Sequence, residues 1–264
     1  MKIPLYQIDA FSERPFAGNP AAICPLESWL DDATLQAIAN ENNLSETAFL
    51  VPEGDGFRLR WFTPTMEVAL CGHATLASGY YILTMENPGR GSVAFETLSG
   101  TLTVTRDGDL LVMDFPAVPA TACSAPDAVV SAVGGTPAET LSVPRLHGAG
   151  FYMLVYERQA DLARLTPDFS ALRREHCNVI ATAAGDRHDF VSRFFAPASG
   201  IDEDPVTGSS HCTLAPFWAE RLGKNPLVAK QISVRGGEIR CTVEGDRVLL
   251  AGRCSLYLRG EISL

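Results

Sequence analysis

Two short stretches concentrate the residue types that acid–base chemistry needs. Cys71-Gly72-His73-Ala74 sets a thiol and an imidazole one residue apart, and Thr207-Gly208-Ser209-Ser210 sets hydroxyl groups around a glycine. Each stands at the start of a run rich in Ala and Leu, 74–84 and 211–222, that reads as a helix. Helix starts carry backbone N–H groups without intrahelical partners and a partial positive charge, so they suit an anion. Plain capping, with Ser209 or Ser210 satisfying its own helix, accounts for the same residues. A third stretch, Asn43 to Val51, carries Glu46 where a helical segment gives way to an apolar strand. Its local context favours a solvated face. The alternative is a desolvated carboxyl group, whose pKa rises toward the range useful for taking and returning a proton. Glu203-Asp204-Pro205 adds a second acidic site in a turn before the second helix, where an Asp-Pro turn and charge–dipole stabilisation are the plain alternative.

Other chemistries find less support. His73 lies in a glycine-flanked helix start and His211 reads as its equivalent, whereas His147, His176 and His188 read as surface residues. Cys71 and His73 are one residue apart and His211 and Cys212 are adjacent; neither is a common zinc spacing, so no metal is expected. A Cys71 nucleophile activated by His73 is not expected either, because the base normally comes from elsewhere in a fold. No Gly-x-Gly-x-x-Gly, P-loop or Gly-x-Ser-x-Gly occurs. With a net charge of −10 and scattered basic residues, a nucleic-acid partner is excluded. No signal-peptide pattern and no apolar span long enough for a bilayer is present, which predicts a cytoplasmic chain without a membrane partner. The seven cysteines then read as reduced thiols.

The elements that must position these residues repeat. Arg60-Trp61-Phe62-Thr63-Pro64 resembles Arg193-Phe194-Phe195-Ala196-Pro197, and His73-Ala74-Thr75-Leu76-Ala77 resembles His211-Cys212-Thr213-Leu214-Ala215. Gly100-Thr101-Leu102 matches Gly237-Glu238-Ile239, and the turn Asp107-Gly108-Asp109 matches Glu244-Gly245-Asp246. Each repeat reads as a strand ending in aromatics and Pro, a loop, a helix, and two strands joined by a tight turn. Further helical segments are predicted near 31–42 and 168–176, and the proline-containing stretch 116–146 reads as the connection between halves. The class is α+β, in halves 1–116 and 117–264, with the last strand, about 253–264, able to return to the first half. Halves related by a pseudo-twofold would bring the two helix starts to face each other across a cleft suited to a small carboxylate.

With these residues in view, the sequence resembles the phenazine-biosynthesis PhzF-like isomerase family. The matching words are Asp9-Ala10-Phe11, Phe16-Ala17-Gly18-Asn19-Pro20-Ala21, Asn43 to Phe49, Arg60 to Pro64, Leu70 to Ala77 and Glu203 to Ser209. The resemblance implies a diaminopimelate-epimerase-like fold, each half a curved mixed β-sheet or barrel around a central helix. It implies Glu46 as general acid/base in a proton shift between carbons of a small unsaturated amino or hydroxy acid, with no metal and no cofactor. It also implies His73 and Asp204 at the catalytic site, and Asn19, Cys71, Gly72, Gly208, Ser209 and Ser210 as substrate-binding residues, in a homodimer. Related racemases use a cysteine at each helix start; here Cys71 is answered by Thr207, which disfavours two-base chemistry. A racemase using Cys71 with another partner, and a binding protein without turnover, are the alternatives.

Overall fold

Alternating and β-branched runs form most of the strands in the computed structural model, which describes residues 1–144 and 149–264; His147 lies outside them. The chain divides into two units, residues 1–114 with 251–264, and residues 115–250. In the first, β1 (Lys2–Ala10), β2 (Asn19–Pro25), β3 (Glu46–Glu53), β4 (Gly56–Phe62), β5 (Glu67–Val68), β6 (Ser92–Thr97) and β7 (Gly100–Asp107) are followed by β8 (Leu110–Pro116). Helix α1 (Asp32–Asn42) links β2 to β3, and α2 (Gly72–Tyr80) follows β5. The pairing runs β1–β2 antiparallel, β2–β3 parallel, β3–β4 antiparallel, β4–β6 parallel, and β6–β7 and β7–β8 antiparallel.

Two helices use this sheet differently. Leu35, Ile38 and Ala39 of α1 pack on Ile3, Cys24, Phe49 and Phe62, and Asp31 caps the helix by accepting from Thr34 N–H at 2.9 Å. In α2 every residue from His73 to Gly79 is buried, as befits a helix that is apolar or small on all sides. It packs against β1, β2, β3 and β7. Gly79 makes the last of these contacts possible, since a Cβ there would lie 2.5 Å from a Val104 methyl. The helix begins two residues before the predicted 74–84 and passes into a π-helical turn at Tyr81–Glu86.

The second unit contains β9 (Thr121–Ala122), α3 (Asp127–Val133), β10 (Glu139–Ser142), β11 (Gly150–Val155), α4 (Gln159–Ala163) and α5 (Phe169–Arg174). These are followed by β12 (Cys177–Ala184), β13 (Phe190–Ala196), β14 (Ile201–Asp204), α6 (Gly208–Leu222), β15 (Leu227–Gln231), β16 (Gly237–Glu244) and β17 (Arg247–Gly252). The stretch 116–146 is therefore more than a connection: it supplies β9, α3 and β10, with Val129 and Val133 packed in a core with Leu154, Leu172 and Phe195. The pairing scheme is that of the first unit: β10–β11 antiparallel, β11–β12 parallel, β12–β13 antiparallel, β13–β15 parallel and β15–β16 antiparallel. The resemblance extends to side chains. Arg60 forks onto Glu67 with two bonds of 2.7 Å and lies 5.1 Å from the Phe62 ring. Arg193 forks onto Glu203 with two bonds of 2.8 Å and lies 4.9 Å from the Phe195 ring.

The last strand, β18 (Cys254–Ser263), pairs antiparallel with β1. Mixed sheets with few helices make the class α+β. Among the described residues no helix is long and apolar enough to cross a membrane.

Candidate active site

The positioning of the first group of residues starts at a turn. Gly18 has φ +71, and a Cβ there would lie 2.2 Å from the carbonyl oxygen of Ala10, so only glycine lets the chain double back into β2. Asn19 opens that strand and is fully buried. Glu46 opens β3 and sits opposite Ala21 in the parallel ladder. Cys71 is the N-cap of α2, in an extended conformation with φ −145 and ψ 105, and makes no side-chain cap bond. His73 follows in the first turn of the helix.

These residues meet at the imidazole. His73 Nε2 lies 3.1 Å from Glu46 Oε2, with the two side chains 8% and 13% exposed. The approach is off the line of a well-directed hydrogen bond, and neither atom has another partner among the described residues. On the other side, His73 Nδ1 lies 3.2 Å from Asn19 Nδ2 and 3.6 Å from Cys71 Sγ. In a neutral ring Nδ1 accepts from the Asn19 amide, which puts the ring proton on Nε2, facing Glu46. In the imidazolium Nδ1–H turns to the Cys71 sulfur. Both forms keep an Nε2 proton toward the carboxyl group.

Burial pulls the His73 pKa down, but Cys71 and Glu46 outweigh it and hold the imidazole well above its usual value. The Cys71 thiol is pushed up to about 11, first by burial and then by the Glu46 charge, against the opposing effect of His73. Near neutral pH Cys71 is therefore an uncharged thiol, and the acidic group facing the other ring nitrogen is Glu46. The ligand-capable atoms of Glu46, Cys71 and His73 all lie within 4.8 Å of one another. Sequence spacing gave no hint of this, because Glu46 comes from a distant strand. Yet the Cys71 and Glu46 contacts fall on opposite ring nitrogens. As built, the group is a chain through the imidazole rather than a cage around one point.

The second group surrounds the start of α6. Its N-cap is Thr207, with φ −110 and ψ 102 and no side-chain cap bond. Buried Asp204, at the end of β14, accepts from the Thr207 hydroxyl. Gln231, fully buried on β15, accepts from Thr207 N–H at 2.9 Å and donates to the Asp204 carbonyl at 2.7 Å. Ser210 is buried and donates to the Thr207 carbonyl at 2.9 Å, Gly208 is buried, and Ser209 is exposed. Gln231 has no sequence signal of its own: it follows Lys230 as the second of two polar residues that end β15.

One sequence equivalence is corrected. The N-caps Cys71 and Thr207 correspond, so the counterpart of His73 is Ser209, not His211. His211 lies deeper in the helix with its ring 5.8 Å from that of Phe190. Burial lowers its pKa to about 4 despite the bond to the Thr207 carbonyl at 2.8 Å, so it is a neutral packing residue. Of the other histidines, His176 is exposed, and His188 is half-buried with Nε2 3.4 Å from Glu238.

Comparison with known proteins adds to this geometry. The profile of the family described as phenazine biosynthesis-like protein matches residues 8–260. An uncharacterized isomerase of Pseudomonas aeruginosa is 48% identical over 265 residues, covering 100% of both chains. The crystal structure of a PhzF-family phenazine biosynthesis protein from Enterococcus faecalis superposes with a TM-score of 0.93 at 42% identity, covering 100% of both chains. A predicted epimerase from Pseudomonas aeruginosa superposes with a TM-score of 0.73 at 25% identity, covering 98% of this chain and 99% of that one.

Proposed function

The chain belongs to the phenazine biosynthesis-like protein family, has the diaminopimelate-epimerase-like fold and is an isomerase, and from that footing we propose that it moves a proton between carbons of a small carboxylate through Glu46, without a cofactor. The observation that carries this reading is the approach of Glu46 to His73 at 3.1 Å with no other partner for either atom among the described residues. A base that takes and returns a proton must be held, partly desolvated and left reachable. Glu46 meets each condition: the strand start fixes it, its side chain is only 13% exposed, and His73 faces one oxygen, leaving the other for the substrate. The His73 charge stabilises the carboxylate between proton transfers and gives negative charge developing on the substrate a nearby cation.

The test is incubation with a panel of small unsaturated amino and hydroxy acids in deuterated water. Incorporation of deuterium at carbon is expected with the native chain and is expected to fall by about 100-fold or more in Glu46→Gln. Full incorporation by that variant would overturn the role of Glu46.

The 3.6 Å contact between Cys71 and His73 favours one second reading, in which Cys71 is the acid and His73 relays its proton. Cys71→Ser separates the two. Under the first reading it keeps most of the exchange activity, and under the second it loses it together with Glu46→Gln.

A further inference from the structure

Arg106, in the first unit, is a half-buried cation with almost nothing to hold. A guanidinium carries five N–H donors. Among the described residues the Arg106 side chain makes one bond, from Nη1 to the Pro88 carbonyl at 3.3 Å. Its Nη2 is shut off from solvent and has no partner there. Arg60, Arg193 and Arg253 each hold a carboxylate, and Arg106 holds none among the described residues. Buried polar groups are almost always satisfied, so an orphaned guanidinium nitrogen calls for an explanation, a bound ion among them.

The strand explains where this cation stands. Leu102, Val104 and Arg106 share one face of β7, and Val104 on that face meets α2 at Gly79. Arg106 therefore stands beside the far end of α2, where the helix passes into the π-helical turn Tyr81–Glu86. Such turns are rare and recur at functional sites. A cavity of about 610 Å³ opens at this point, lined among others by Glu13, Tyr80, Thr84, Arg106, Leu110 and Arg253. Asn19, Glu46, Cys71 and His73 are not among its lining residues. Tyr80 closes the helix whose first turn carries His73, about 10 Å further along the axis.

We propose that this cavity binds a small oxyanion, a carboxylate or phosphate group on a compact body, with Arg106 as its cation. The charges that line the cavity leave that role to Arg106. Arg253 is already paired with Glu13, and Asp109, at the β7–β8 turn, is exposed and screened by water. The planar fork of a guanidinium takes two oxygens of a carboxylate or a phosphate side by side. The 3.3 Å bond to Pro88 is a weak tether, so the fork is able to turn into the cavity and offer two donors at once. Leu110 and the Tyr80 ring supply apolar wall, and the Tyr80 hydroxyl supplies a further donor. The cavity is larger than a lone phosphate needs and falls within the range of small-molecule sites. This site stands apart from the role of Glu46 and does not depend on it.

Amide NMR on the full labelled chain tests this, with inorganic phosphate and acetate as probes and sodium chloride at equal ionic strength as the blank. Saturable shifts are expected at Thr84, Arg106 and Gly108. Arg106→Gln is expected to raise the dissociation constant about tenfold or more, through loss of the charge-assisted fork. Arg106→Lys keeps the charge without the fork, should fall between the two, and serves as the test variant if Arg106→Gln misfolds. Binding of either probe supports the site, and the tighter one shows whether its ligand carries a phosphate or a carboxylate. Shifts no larger than those given by chloride overturn the proposal. So does binding that survives Arg106→Gln unchanged, and so do shifts confined to His73 and its neighbours, which would put the anion at the start of α2.

Discussion

Replacing Glu46 by Gln should make the stability of the protein newly sensitive to acid, in an amount fixed by the burial of His73. In the native chain the Glu46 charge, 3.1 Å away, helps hold the His73 pKa well above its usual value of 6.5. A group whose pKa is raised on folding contributes stability that is fully present below the unfolded value and is lost as pH rises through the folded one. Below about pH 6.5 the native histidine is protonated in both states, so it adds no slope there. Without Glu46, and with the Cys71 thiol uncharged because its pKa is pushed up to about 11, burial is unopposed by any neighbouring charge and the ring stays neutral when folded, while the unfolded chain still takes up a proton below about pH 6.5. The variant then loses roughly 1.4 kcal/mol for each pH unit below that value. At pH 5.0, about 1.5 units below it, the gap between native chain and variant should exceed the gap at pH 6.5 by about 2 kcal/mol. Urea unfolding of both proteins from pH 5.0 to pH 9.0 reads this directly, as the difference in free energy against pH. The gap should be widest in acid and narrow as pH climbs through the raised His73 pKa. A difference that is flat across the range, or that widens toward alkaline pH, would refute the coupling of Glu46 to His73.

Further expectations follow from the same contacts. Gly79→Ala should destabilise the chain by about 1–3 kcal/mol by pressing on Val104, outweighing the roughly 1 kcal/mol that alanine adds to a helix. In urea unfolding, adding Val104→Ala should remove most of that penalty, so a near-additive double variant would argue against the close approach. Gln231→Leu removes the bonds to Thr207 N–H and the Asp204 carbonyl and should cost about 2 kcal/mol or more; a midpoint within error of the native one would show that this link is dispensable. Because the Cys71 thiol is pushed up to about 11, peptide mapping after iodoacetamide treatment should find it unmodified near neutral pH and increasingly modified as pH rises toward that value. Rapid labelling of Cys71 at pH 7 would mean that it is a thiolate.

Much of the frame was legible because its causes are local. A glycine and small residues before an Ala/Leu run mark where α2 and α6 begin, and the turns at Gly108 and Gly245, with φ of +58 and +62, carry the dipeptide that hairpins require. The repeated aromatic words proved to hold repeated ion pairs, Arg60 with Glu67 and Arg193 with Glu203. Less legible were features set by tertiary contact. Gln231 looks like any polar residue in a strand until Thr207 and Asp204 fold onto it. The His73–His211 correspondence failed because matched words align composition, whereas the N-caps align backbone geometry. Cys71 and His73 meet although residues two apart on a helix do not face each other; Cys71 is extended, outside the helix, and its side chain turns back. Glu46 read locally as a solvated carboxylate because nothing nearby in sequence covers it; α2 supplies the cover.

The comparison of the two helix starts bears on mechanism. Their N-caps share one backbone conformation, but the chemistry mounted on them has diverged. At α2 the cap is a thiol beside an imidazole, linked through that ring to a carboxyl group. At α6 the cap is a hydroxyl whose proton is already given to Asp204, while its N–H is given to Gln231. Two-base racemisation needs a titratable acid or base at both starts, each free to face the reacting carbon. Thr207 fails on both counts: its hydroxyl does not ionise near neutral pH, and its hydrogen-bonding capacity is committed within its own unit. Converting Thr207 to Cys would thus supply a thiol but not a free one, since Asp204 and Gln231 would still engage that position. The substitution is expected to leave any racemase activity absent. Racemisation in Thr207→Cys, measured by loss of optical rotation of a turned-over substrate, would show that the missing thiol alone separates the two chemistries.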